Sequence, residues 1–433
     1  MNFLNRKKAP PIQEFASFSL IQPSEKTLVN GIKLKVFDNQ QLDLLHFIIR
    51  VKAGAFYESE KNISSFCYSL LKESSGKYSS NEVDAFLDYY GAMYEVTVML
   101  EYVNISIMVP HHNCLEVLSY ILDFLLYPHF NPKNLEIFRQ RRIKNLEYNN
   151  KKTSYLATQW MFRNLFGESL PIGIPLTKEH LEKITISQLT TYHQNSFYAE
   201  NIRVFMAGNI GNELLDQIAS ILEQIPENRN LLKETPFLSP HLPEPFILDR
   251  LENSLQSSLM ICKRFIDYTD PDRRPFSVVA TLLGGYFGSR LMQNLREKNG
   301  FTYGVHCGLI YLHHASICYV ESEVNVDKTS QALKECLYEM EQLGQNWVED
   351  EELELVKNYM RGTLLREVES TPSYMKKYMI WDDFNLNKDE FQDMMNMIQT
   401  VDKEDIKKLS EKYLSPDSFS KIIVGNKEDD KLY

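Results

Sequence analysis

The chain repeats itself at long range, and that constrains its fold more than any single motif. Ile184, Leu189, Gly208 and Asn209 recur 217 residues later as Val401, Ile406, Gly425 and Asn426. Leu115, Leu118, Leu122 and Leu125 recur 218 residues later as Leu333, Cys336, Met340 and Leu343, and Leu135-Glu136 recur at that spacing as Leu353-Glu354. A nearly constant offset across segments of unlike length indicates two similar domains in tandem. The length of 433 residues agrees, because it exceeds what one compact core usually organises. Between the copies, residues 225–246 hold Pro226, Pro236, Pro240, Pro243 and Pro245 with no sustained period, which predicts an extended linker. The expected division is a first domain over 1–224, the linker over 225–246 and a second domain over 247–433.

Within the first copy, Leu45, Phe47, Ile49 and Val51 alternate with residues that include His46, Arg50 and Lys52, a strand pattern. Ile63, Phe66, Cys67, Leu70 and Leu71 follow at the spacing of one buried helix face. Ser80 then caps a helix through Val83, Phe86, Leu87 and Tyr90 that Gly91 ends, and strands are expected near 93–99 and 103–109. Helices near 114–126, 132–150 and 154–166 and a strand at 202–207 complete the copy, and the second copy gives the same order. Strand runs followed by helix runs predict an α+β fold: two tandem domains, each a mostly antiparallel sheet with helices on one face.

Composition excludes several function classes. A net charge of −11 with no concentrated basic stripe argues against nucleic-acid or anionic-membrane partners. The N-terminal stretch has basic residues but no apolar segment after them, and no run of eighteen apolar residues occurs, so a soluble, cytoplasmic protein is expected. The six cysteines are scattered without a Cys-x-x-Cys pair and read as buried thiols. His111-His112 and His313-His314 are adjacent pairs whose side chains diverge, so neither is a ready chelate. A Gly-x-Ser-x-Gly elbow, a phosphate-binding glycine loop and a clustered Cys and His are all absent.

One segment carries a specific signal. Gly284-Gly285, an amphipathic stretch and a turn at Gly300 present Arg296 and Tyr303 together. The two side chains lie seven positions apart across a glycine turn, so they can converge on one spot. A guanidinium and a phenol are suitable donors for peptide carbonyls or a developing oxyanion. The plain alternative is a surface ion-pair residue and a strand aromatic at the core edge.

This segment resembles the second domain of the insulinase/pitrilysin zinc peptidases, the inverzincins, whose two-chain members include mitochondrial processing peptidase. The resemblance implies that Arg296 and Tyr303 grip the substrate backbone, and that the two domains form half of a clamshell. It also implies His-x-x-Glu-His and a distal Glu in the first domain, supplying three zinc ligands and a general base. Here Ser65, Tyr68 and Ser69 stand at the motif positions, on a face other than the apolar one. The distal ligand falls on Asn145, with Glu147 nearby. Hydroxyl and phenol groups are poor zinc ligands at neutral pH, so this chain is expected to bind no cofactor of its own.

The reading that follows is a non-catalytic subunit. It pairs with a homologous zinc-bearing chain and contributes Arg296 and Tyr303 to the cleavage of extended peptides. The alternative is an inactive peptide-binding or assembly protein of the same fold. A stand-alone peptidase with a rearranged metal site is the weakest option.

Overall fold

The structure, a computed structural model, describes residues 20–73, 76–227, 241–313, 316–386 and 389–425. His314, Asn426 and residues 228–240 of the proline-rich stretch lie outside these. Of that stretch's described ends, Ile225 is buried in the first core and Phe246 opens a strand.

Among the described residues, eleven strands form two sheets. The first contains β1 (Ser24–Thr27), β2 (Lys33–Asp38), β3 (Leu44–Val51), β4 (Met93–Val98), β5 (Val103–Pro110) and β6 (Ile202–Gly208), in the order β1-β2-β6-β3-β5-β4. The second contains β7 (Phe246–Arg250), β8 (Gln256–Phe265), β9 (Thr302–Ile310), β10 (Ser316–Asn325) and β11 (Ser420–Gly425), in the order β7-β11-β8-β10-β9. Among the described residues, β2 with β6 and β7 with β11 run parallel and the other pairings are antiparallel. Leaving β1 aside, the two orders are the same, so the duplication is one of topology as well as of sequence.

Each sheet packs one face on helices of its own domain. Leu45, Phe47, Ile49 and Val51 of β3 join Val103, Ile105, Ile107 and Val109 of β5 against Phe66, Leu70, Val117 and Ile121. In the second domain Leu259 and Ile261 of β8 meet Phe276, Leu291, Leu295 and Met340. Period-2 strands laid on apolar helix stripes give the expected layers.

The opposite faces are covered reciprocally. Helix Thr371–Asp383 of the second copy lies on the first sheet, where Met375, Met379 and Trp381 bury Phe37, Ile48, Phe205 and Ala207. Helix Thr153–Phe166 of the first copy lies on the second sheet, where Ala157, Met161 and Leu165 bury Met260, Cys262, Ile422 and Val424. The polar residues that alternate along β3 are therefore buried too. Arg50 and Arg203 are cross-strand neighbours, a like-charge arrangement that costs energy unless it is compensated. Asp382 and Asp383 of the crossing helix supply the compensation, and both guanidiniums also stack on the ring of Tyr102, at 4.0 and 5.3 Å from its centroid.

Sequence patterns missed the short strands β1, β2 and β7 and the helices Ile186–Ser196 and Asn212–Leu222. All six cysteines are buried and free. No described helix is long and apolar enough to cross a membrane.

Candidate functional site

Helix Ile63–Leu70 sits against the first sheet through Ile63, Phe66, Cys67 and Leu70, as its apolar spacing predicts. Its polar positions do not share one environment. Ser65 and Ser69 open onto a chamber of about 620 Å³, whereas Tyr68 is fully buried. The Tyr68 hydroxyl bonds Ser196 Oγ at 2.8 Å and its ring meets Tyr192 edge-on, so the expectation that Tyr68 lies off the buried face is wrong. The buried stripe is wide enough to take it in, and a phenol can enter a core where its O–H finds a partner. Asn145 and Glu147 are exposed, and neither lines this chamber.

Charged groups that no sequence pattern singled out line it instead. Arg142 projects from helix Pro132–Asn149, one turn before Asn145, and donates through Nη2 to Asn62 Oδ1 at 2.9 Å. Its Nε is buried with no hydrogen-bond partner. Lys61 Nζ donates to the Pro171 carbonyl at 2.7 Å. Burial lowers the pKa of both cations. Glu58, 9% exposed, accepts from the backbone N–H groups of Asn62 at 2.9 Å and Ser64 at 3.3 Å. Burial pushes its carboxyl up to about 7, against the pull of those N–H groups, Lys61 and Arg142. Glu95 to Leu100, the later part of β4 and the two residues after it, form another wall, and β4 is an edge strand.

These residues do not fit a zinc ion. Two serine hydroxyls beside a buried guanidinium and ammonium offer weak donors and repel a dication. Among the described residues, no group of three or more His, Cys, Asp and Glu side chains is placed to hold a metal.

In the second domain, Met292–Lys298 winds as a wide π-type helix, with Leu295 buried, and ends in a turn at Gly300 (φ +63°), a left-handed position suited to glycine. Gly284 presses on β9 so closely that a Cβ would lie 2.7 Å from the Cys307 backbone nitrogen. Edge strand β9 then opens a groove of about 720 Å³ lined by Tyr286, Phe287, Tyr303, His306, Glu321 and Ser154, the last from the first domain's crossing helix. The Thr302 hydroxyl fixes the start of β9 by donating to the Glu323 carbonyl at 2.6 Å and accepting from the Gly304 N–H at 3.0 Å. Tyr303 stands 91% exposed beside it. Arg296 lies over the Phe287 ring, 4.4 Å from its centroid, with Glu297 3.6 Å away. Phe287 lines the same groove as Tyr303, whereas Arg296, stacked on the Phe287 ring, is not among the groove's lining residues.

Residues 41–170 match the model of the insulinase peptidase family, M16, and residues 183–360 match that of the M16 inactive domain. The chain belongs to peptidase family M16. It is 22% identical to a Helicobacter pylori protein named non-peptidase homolog YmxG, over 73% of each chain. It is 21% identical to an uncharacterized zinc protease of Rickettsia felis, over 92% of this chain and 97% of that one. Its fold is similar to the crystal structure of a peptidase M16 inactive domain from Pseudomonas fluorescens, with a TM-score of 0.86, 20% identity, and coverage of 95% of this chain and 99% of the other.

Within this M16 chain the first-domain chamber is lined by two serines, a guanidinium and an ammonium beside Glu58. Arg142, on a polar helix face, and Lys61, in the turn before helix Ile63–Leu70, were missed because long charged side chains normally read as solvated. A pointer did exist: Arg142 lies one helical turn before Asn145, the position to which the sequence resemblance assigns the distal ligand.

Proposed function

We propose that this M16 protein is the metal-free subunit of a two-chain peptidase, paired with a homologue that carries His-x-x-Glu-His and zinc. In this reading Arg296 and Tyr303 hold an extended peptide while the partner cleaves it. The observation that carries the reading is the contrast between the two sites. Among the described residues the chamber at Ser65 and Ser69 offers no zinc donor set, while Tyr303 lines the second-domain groove at 91% exposure and Arg296, beside it on the Phe287 ring, is held by that ring and a weak ion pair. Exposed contacts of that kind are worth about 1 kcal/mol or less each, so both side chains are free to turn to a substrate.

Co-expression with the zinc-bearing homologue from the same genome tests it. A stable complex should cleave unstructured peptides in a chelator-sensitive way, and this chain alone should not. Failure of the chains to co-purify would remove the two-chain reading and leave the protein as a peptide-holding or assembly member of M16.

A further inference from the structure

The first-domain chamber has a polarity that loss of a zinc site does not require. Removing three ligands from a metal site leaves a neutral cavity, yet here two cations line it. Its inward-facing polar groups are mainly donors: the Ser65 and Ser69 hydroxyls, the Lys61 ammonium and the Arg142 guanidinium, whose Nε is buried and unpartnered. The carboxylate closest to them, Glu58, is already committed to the backbone N–H groups of Asn62 and Ser64. Glu95 lies on the exposed rim of β4. A buried guanidinium with an unmet N–H costs free energy that an anionic acceptor recovers, and a carboxylate matches its forked geometry.

The surroundings narrow the anion. Among the described residues β4 pairs only with β5, which leaves its outer main-chain edge available to an added extended strand. The wall from Glu95 to Leu100 runs from that edge into the chamber. A peptide laid along the edge and stopping in the chamber brings its last carboxylate to the Arg142 guanidinium, with Ser65 and Ser69 as further donors. The main chain of a peptide that continued through would bring neutral amides to the two cations, and a carboxylate only where an Asp or Glu side chain fell there.

We propose that the chamber recognises the free C-terminal carboxylate of an extended peptide, with Arg142 as its principal donor. It would thereby select peptide ends where other members of the family place a metal. This rests on the peptide-binding reading above but does not need the partner subunit.

The test uses the full chain, immobilised, and two isotopically distinguished pools of N-acetylated octapeptides of randomised sequence, one with free C-terminal carboxylates and the other amidated. Mass spectrometry of the retained peptides should give the acid pool an excess of about tenfold, the size of one charge-assisted hydrogen bond. Arg142→Gln should bring the ratio near unity, and Arg142→Lys, which keeps the charge and loses the fork, should retain only part of the excess. Ser65→Ala with Ser69→Ala should reduce the ratio in a chain whose thermal melt is unchanged, which covers the case in which the Arg142 variants fail to fold. Equal retention of the two pools by the wild-type chain would overturn carboxylate recognition and leave peptide binding standing. Retention of neither pool would overturn both.

Discussion

Arg50 on β3 and Asp383 at the end of helix Thr371–Asp383, 333 positions apart in sequence, form a buried two-pronged ion pair between the two halves of the chain. Their side chains are 5% and 6% exposed, and Asp383 is shared with Arg203. Removing one partner of such a pair leaves an uncompensated buried charge at a cost of about 3–5 kcal/mol. Asp383→Asn should therefore lower the unfolding midpoint in urea more than Arg50→Met, because it disarms two guanidiniums. A double-mutant cycle should return a coupling well above 1 kcal/mol. Additive effects would mean that the pair is not coupled in solution.

The Glu58 carboxyl predicts a pH-dependent stability. Its proton is held more tightly in the folded chain, at about 7, than at the ordinary value of 4.5. Protonation therefore favours the fold: the contribution is full below 4.5 and is lost as pH rises through about 7. Relative to Glu58→Gln, the wild-type chain should gain about 2–3 kcal/mol between pH 8 and pH 5 in denaturant melts. Parallel curves for the two proteins would assign Glu58 an ordinary carboxyl.

Restoring the metal motif should fail for a reason that lies in the core. Ser65→His and Ser69→His face the chamber and should be tolerated. Tyr68→Glu places a carboxyl at a fully buried position and removes the bond to Ser196, so it should cost more than about 4 kcal/mol. The quadruple variant with Asn145→Glu should melt far below the wild type and show no zinc-dependent turnover. Elemental analysis of the wild-type chain should find no stoichiometric zinc.

For the second-domain groove, Arg296→Ala or Tyr303→Phe should lower peptide cleavage by the co-purified pair about a hundredfold or more. That is the usual effect of losing one donor to transition-state charge, about 2.7–4 kcal/mol. Thermal melts should barely move, because the ring and the ion pair that hold Arg296 are worth about 1 kcal/mol or less each. Unchanged turnover in both variants would take these residues out of the proposed function.

Much of this fold was legible in the sequence because its regularities are periodic. The alternation in β3, the apolar stripe of Ile63–Leu70 and the recurrence of Leu189 and Gly208 as Ile406 and Gly425 are local patterns that survive without knowledge of what packs on them. The reciprocal helices were not legible, because nothing in Thr153–Phe166 or Thr371–Asp383 states which sheet each covers. The same holds for the chamber. Tyr68 reads as a polar replacement for a base until its partner Ser196 is seen, and Arg142 reads as a surface charge until Glu58 and Lys61 are placed beside it.

The crossed helices bear on how such a chain arises. A single ancestral copy, lacking a cover for the second face of its sheet, would satisfy that face by lending its own helix to an identical neighbour and borrowing one back, a swapped dimer with two-fold symmetry. Joining two copies end to end turns that dimer into one molecule. The halves are then no longer bound to be identical, and one can keep Arg296 and Tyr303 while the other trades a metal for a guanidinium. A nick within the proline-rich stretch should on this view leave two fragments that stay together, since each holds a helix the other needs.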